Sequence, residues 1–294
     1  MRRAPLILAS GLAAVTSVAG CAAQRPASTG DAAATSSWRP HSAQVGAPTL
    51  GCSSRVVAAG DIVKDEAVAD RTGQVAAGQQ PDLVLTLGDN QYPSGSLDDY
   101  RRRYDRTVWG RLKPITNPVP GNHEYQTPGA SGYFPYFGDP PAYYGFDAGC
   151  GWRGYALNSE VDLLEQAAWL ERDLAAHPGA PVLAYWHKPR WSSGTEHGGD
   201  ERMQALWVAL AGRTGVVLGG HEHNYERFAP VGGLRQFVVG TGGTSTYPLD
   251  TPAPGSESRI SGAPGVLRLD LHPGARYEWA FLDTVSAVRD SGSG

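Results

Sequence analysis

The stretch LVLTLGDNQYPSG, Leu83 to Gly95, ends an apolar run at Gly88 and places Asp89 and Tyr92 directly after it. A short run rich in Leu and Val, bounded by turn residues, predicts a β-strand. In an open α/β sheet, whatever follows such a strand lies at the carboxyl edge, where ligands bind. Alone, the stretch has two readings. Gly88 and Asp89 suit an ordinary turn beside a packed aromatic, and they equally suit a metal-binding carboxylate with a phenolate three residues on.

The neighbours weigh on this choice, because the same arrangement recurs along the chain. RVVAAG (55–60) leads to Asp61, PITNPVPG (114–121) to Asn122 and His123, PVLAYW (181–186) to His187, and GVVLGG (215–220) to His221 and His223. Carboxylates and neutral imidazoles are the usual ligands of hard to borderline metal ions, with an Asn carbonyl as a weaker one. The two oxygens of a carboxylate can join two metals, which suits Asp89. His221 and His223 face one side if the backbone there is extended. Two metals about 3.5–4 Å apart can hold a phosphoryl oxygen, supply hydroxide and stabilise the leaving oxygen of an in-line displacement.

Helical periods lie between the runs. In SEVDLLEQAAWLERDLAAH (159–177), Leu163, Ala167, Leu170 and Leu174 share one face. Asp200 is placed to cap a second helix through DERMQALWVALAG, which ends at Gly212. Strands alternating with helices predict an α/β domain. The closely spaced strands near the C-terminus predict some antiparallel pairing.

The amino terminus reads as an export signal. MRR precedes the apolar APLILASGLAAVTSVAG and then Cys21, a pattern too short for a stable membrane span. VAGC resembles the lipobox of bacterial lipoproteins. That predicts a signal peptide over 1–20, lipidation of Cys21 and anchorage on the outer face of the cell membrane, with a plainly secreted form as the alternative. Residues 21–50, rich in Ala, Ser, Thr, Pro and Gly, read as a disordered tether. One domain is expected over 51–285, followed by a flexible tail over 286–294. With Cys21 used for lipid, Cys52 and Cys150 remain as a disulfide pair in an oxidising compartment. The net charge of −4 gives no reason to expect a nucleic-acid partner. The one tight basic run, Arg101 to Arg103, lies among Asp98, Asp99 and Asp105 and reads as a solvated helix face.

Taken in order, GD (60–61), GDNQY (88–92), GNHE (121–124), YWHKP (185–189) and GHEH (220–223) resemble the calcineurin-like metallophosphoesterases, and within them the purple acid phosphatases. NYERF (224–228) and VVGTGG (238–243) fit the same pattern, so the resemblance runs from about 55 to 245. It implies a single catalytic domain with a four-layer α/β/β/α sandwich and a dinuclear metal centre. One metal would be held by Asp61, Asp89, Tyr92 and His223, the other by Asp89, Asn122, His187 and His221, with Asp89 bridging. Tyr92 distinguishes the branch that binds iron(III) through a tyrosinate, paired with a divalent Fe, Zn or Mn. Asp61, Asp89 and the phenolate give roughly −3 against +5, and the remaining charge of about +2 attracts a phosphate ester.

The implied activity is hydrolysis of phosphate monoesters by in-line attack of a metal-bound hydroxide, with Asn122, His123 and His197 as catalytic residues. The alternatives are a phosphodiesterase or nucleotide-directed enzyme with two divalent metals, and a non-catalytic metal- or phosphate-binding lipoprotein. Glu226 and Arg227 read as supports of the His loop, Trp186 and Trp191 as core or pocket wall, and His41, His177 and His272 as surface residues. Val63 stands where the purple acid phosphatases usually carry glycine, which puts the shape of that loop in question.

Overall fold

The structure, a computed structural model, describes residues 37–43, 49 and 51–294. The signal segment, Cys21 and most of the tether lie outside the described residues. Strands β1 (Ser54–Ala59), β2 (Leu83–Leu87) and β3 (Thr116–Val119) run parallel. The chain then builds a second sheet from β4 (Tyr144–Gly149), β5 (Trp152–Ala156), β6 (Val182–Tyr185), β7 (Gly215–Gly219), β8 (Tyr225–Phe228), β9 (Leu234–Val239) and β10 (Ser256–Ile260). Their order is β10-β8-β9-β7-β6-β5-β4, and β5, β6, β7 and β9 are parallel. Strands β11 (Gly265–Leu271), β12 (Tyr277–Asp283) and β13 (Val288–Ser293) return antiparallel and complete the first sheet as β13-β12-β11-β1-β2-β3.

Strand periodicity sets the layers. Leu183 and Tyr185 of β6 and Val216 and Leu218 of β7 join Val56, Leu85 and Leu267 of the first sheet in one core. Their neighbours Val182, Ala184 and Val217 point the other way and pack with Leu170, Leu174, Leu206 and Leu210, as period-2 alternation requires. The helices are α1 (Glu66–Gly78), α2 (Leu97–Arg102), α3 (Val108–Leu112), α4 (Tyr133–Tyr136), α5 (Leu163–Ala176) and α6 (Gln204–Ala209). Helices α5 and α6 cover the second sheet, and α1 lies against β11 of the first. This is the expected α/β/β/α sandwich.

Helix α5 begins where Asp162 accepts the Leu164 and Glu165 N–H groups at 2.9 and 3.0 Å, a side-chain N-cap. Asp200 caps as expected, accepting the Arg202 N–H at 2.9 Å. The first turn it caps is a 3₁₀ turn, however, and α6 proper is only six residues long. Among the described residues no helix is long and apolar enough to cross a membrane.

Two boundaries differ from the sequence reading. The expected tail is largely strand β13, paired with β12 from Glu278↔Ser293 to Leu282↔Val288. It is an exposed edge strand whose residues are polar or Gly apart from Val288, so it carries no apolar period to read. The expected tether is docked over 37–43. The Asn117 side chain bonds both the N–H and the C=O of His41 at 2.8 Å, and the Trp38 ring lies 4.7 Å from that of Tyr144. A disulfide joins Cys52, just before β1, to Cys150 in the β4–β5 turn, linking the two sheets across 98 residues of sequence. Replacing both cysteines by Ser is expected to lower the unfolding free energy by about 2–5 kcal/mol, measured by urea titration; an unchanged midpoint would show that the sheets need no cross-link.

Candidate metal centre

Strands β1 and β2 end side by side, and their ladder continues into the loops. Asp61, Ile62 and Val63 donate N–H groups to the carbonyls of Gly88, Asp89 and Asn90 at 3.0, 2.9 and 3.0 Å. Asp61 and Asp89 thereby leave adjacent strand ends together. Both turn into the left-handed region, at φ 59° and 48°, as does His221 at 69°. Asp and His tolerate this better than most residues, and strain of this kind collects at functional sites. Val63 is fully buried with a negative φ, so the position needs no glycine here.

The seven donors fall into two groups that share one atom. In the first, the Tyr92 hydroxyl lies 3.0 Å from Asp61 Oδ1, 3.0 Å from Asp89 Oδ2 and 3.3 Å from His223 Nε2. In the second, His187 Nε2 lies 3.1 Å from Asn122 Oδ1, 3.2 Å from His221 Nδ1 and 3.4 Å from Asp89 Oδ2. A tetrahedral ion with bonds of about 2.0–2.1 Å has donor-to-donor edges of about 3.4 Å, so these spacings fit small cations. Asp89 Oδ2 is common to both groups. Its Oδ1 is taken by the His123 N–H at 2.8 Å, so the sharing runs through one oxygen rather than the two that the residue type suggested.

The imidazoles are oriented for ligation. His187 Nδ1 donates to the Leu87 carbonyl at 2.8 Å and His223 Nδ1 to the Ser245 carbonyl at 3.0 Å. A carbonyl only accepts, so each Nδ1 carries a proton, and Nε2 is the nitrogen that each ring turns toward the other donors. Asp61 Oδ2 is fixed by the His221 N–H at 2.8 Å.

The charges call for a cation. The Tyr92 hydroxyl has one proton for two carboxylate oxygens at equal distance. Burial, then Asp61 and Asp89, push that phenol well above its ordinary value. Burial opposes a proton on His187, but Asp89, through charge and hydrogen bond, carries its imidazole up to about 10. Burial raises Asp89, yet His187 and His123 together hold it below the usual carboxylate range. Burial, then the charges of His187 and His197, bring His221 down to about 2.

Two further histidines stand at the rim. His123 Nε2 lies 3.8 Å from Asp89 Oδ2, and the His197 ring stacks on that of His221 at 4.2 Å and 19°. Sequence reasoning missed four supporting residues. Buried Glu124 accepts the Gln91 N–H at 3.1 Å, the Tyr100 O–H at 2.9 Å and the Gly121 N–H at 2.7 Å, which ties the two ligand loops together. Tyr247 stacks on the His223 ring at 4.0 Å. Arg103, expected on a solvated face, bonds the carbonyls of Tyr92 and Lys64 and the carboxylate of Glu66. Glu222 holds the loop that carries His197. The glycines make room: a Cβ on Gly121 would lie 2.3 Å from Asp89 Oδ1, and one on Gly88 2.6 Å from His187 Nδ1.

Other expectations are sharpened. Glu226 supports the His197 loop through the Ser193 N–H at 2.7 Å. Arg227 does not; it turns to Asp290 at 2.8 Å and to Glu257. Trp186 is fully buried in the core, and Trp191, partly buried, packs edge-on to Trp207 at its border. His41, His177 and His272 are half-buried rather than surface residues: His177 pairs with Asp173 and His272 bonds the Cys52 carbonyl.

The family model for calcineurin-like phosphoesterases matches residues 54–225, a span that contains all seven donors. Purple acid phosphatase 22 of Arabidopsis thaliana is 28% identical, over 76% of this chain and 58% of its own length. The purple acid phosphatase PPD1 from yellow lupin (Lupinus luteus) seeds superposes with a TM-score of 0.62 at 19% identity, over 82% of this chain and 53% of its own. GAP50, the anchor in the inner membrane complex of Plasmodium, superposes at 0.61 with 14% identity, over 82% and 88%. The chain spans little more than half the length of the two purple acid phosphatases that it matches.

Proposed function

Given that the chain belongs to the calcineurin-like phosphoesterase family, we propose that it is a phosphomonoesterase whose seven donors hold two metal ions, iron(III) and a divalent Fe, Zn or Mn. The observation that carries this reading is Asp89 Oδ2, which belongs to both donor groups, with the Tyr92 hydroxyl beside it in one of them. Asp61, Asp89, Tyr92 and His223 would hold one ion and Asp89, Asn122, His187 and His221 the other. When bound, the pair supplies positive charge to the oxygens of an in-line displacement at phosphorus.

The chain's own residues position and move protons around that centre. His123 Nδ1 is engaged by the Pro93 carbonyl at 2.5 Å, and Nε2 faces the site. Nε2 is the atom placed to hand a proton to the leaving oxygen, in the manner of a general acid. His197, stacked on His221, offers its imidazole to a phosphate oxygen above the second donor group. Buried Asp61 and Asp89 stay fixed by backbone N–H groups, so little reorganisation accompanies reaction. The complete donor set argues against a purely binding role.

A side-by-side assay of para-nitrophenyl phosphate and its bis-aryl diester tests the substrate class. The monoester is expected to show at least about tenfold higher kcat/KM, a difference of roughly 1.4 kcal/mol in barrier. The reverse preference would transfer the site to the diesterase alternative. We also place the enzyme outside the cytoplasm, anchored through lipid on Cys21. The Cys52–Cys150 disulfide supports an oxidising compartment, and Cys21→Ser should release the protein from membranes.

A further inference from the structure

Glu222, the acid of GHEH, has no part in the donor groups, yet it is fully buried. His221 and His223 point into the site, while Glu222 reaches into the loop over 194–198. Its Oε1 accepts the N–H groups of His197 at 2.6 Å and Gly198 at 2.5 Å. Its Oε2 has no hydrogen-bond partner among the described residues. A Cβ on Gly194 would lie 2.1 Å from Oε2, so the loop closes on this carboxylate only because Gly194 has no side chain. Other parts of the loop are held separately. Gln236 Oε1 takes the Arg190 and Trp191 N–H groups at 3.0 and 3.3 Å, and Glu226 takes Ser193. Among the described residues, Glu222 alone grips the main chain at His197 itself.

We propose that Glu222 is a positioning residue that sets the His197 imidazole over the site by clamping two successive N–H groups. This rests on the phosphatase reading, in which His197 meets the substrate. A charged acceptor forms stronger hydrogen bonds than a neutral one, and a misplacement of about 1 Å can cost about a hundredfold in rate. The tripeptide His221–Glu222–His223 therefore fixes both the ligands and the imidazole that works beside them. The stacking of His197 on His221 keeps the two in register.

The test compares Glu222→Ala, Glu222→Gln, His197→Ala and the Glu222→Ala/His197→Ala double variant. Monoester kcat/KM, metal content and hydrogen–deuterium exchange of the peptide over 195–199 are measured for each. Glu222→Ala is expected to lose about 10- to 100-fold in kcat/KM with its metal content unchanged. The double variant should fall no more than about threefold below His197→Ala, because two residues acting through one group are not additive. Glu222→Gln keeps an acceptor oxygen and should recover to within about threefold of the parent. Amide exchange over 195–199 should rise in Glu222→Ala and not in Glu222→Gln. Additive losses in the double variant, loss of metal, or parental rates and protection in Glu222→Ala would each overturn the proposal. If the parent protein does not hydrolyse esters, the phosphatase reading falls by itself. The exchange measurement then still decides the clamp: unchanged exchange in Glu222→Ala refutes it.

Discussion

Replacing Asp89 by Asn should empty both metal positions and lower kcat/KM by at least about four orders of magnitude, the scale on which removal of a residue central to a catalytic unit acts. The loss is chemical rather than structural. Asn keeps an oxygen at the Oδ1 position to accept the His123 N–H, so the loop shape survives. At Oδ2 it puts an NH₂ group against the Tyr92 hydroxyl and His187 Nε2, a donor where both groups need an anionic acceptor. Metal content, turnover and thermal midpoint on one preparation separate the effects. A variant that keeps both metals, or turns over within about tenfold of the parent, would remove Asp89 from its shared role.

The second large effect concerns Tyr92. Burial, then Asp61 and Asp89, push its phenol well up, and the iron(III) proposed for that group would supply the charge that holds it as phenolate. Tyr92→Phe keeps the ring against His123 at 4.2 Å and removes the oxygen alone. The variant is expected to lose its visible absorption and its iron, and to lose about 10- to 100-fold in kcat through the weakened charge on the phosphate oxygens. Divalent ions would still load. Parental colour and iron content in Tyr92→Phe would make the ring a piece of wall.

The site was more legible in the sequence than the fold's edges were. The proposed ligand residues follow strands at fixed offsets, so GDNQY, GNHE and GHEH carry their own addresses, and the side chains expected in each group lie together. What the sequence did not disclose was which oxygen of Asp89 is shared, because that depends on the His123 N–H taking the other. Buried carboxylates such as Glu124 and Glu222 were invisible for a similar reason. A polar residue that clamps backbone N–H groups leaves no periodic trace, and its partners come from loops distant in sequence. Strand β13 was missed because an exposed edge with Val288 as its one apolar residue has no alternation to read. The tether was over-extended because the anchoring of 37–43 depends on Asn117 and Tyr144, over seventy residues away.

The shared-oxygen geometry and the phenol beside it meet most directly in the metal content and visible spectrum of the full chain purified without chelators. About two ions per chain, one of them iron, with an absorption from tyrosinate to iron that vanishes in Tyr92→Phe, is the predicted result. A single ion per chain, or colourless protein holding only zinc or manganese, would contradict the iron–divalent centre built on Asp89 and Tyr92.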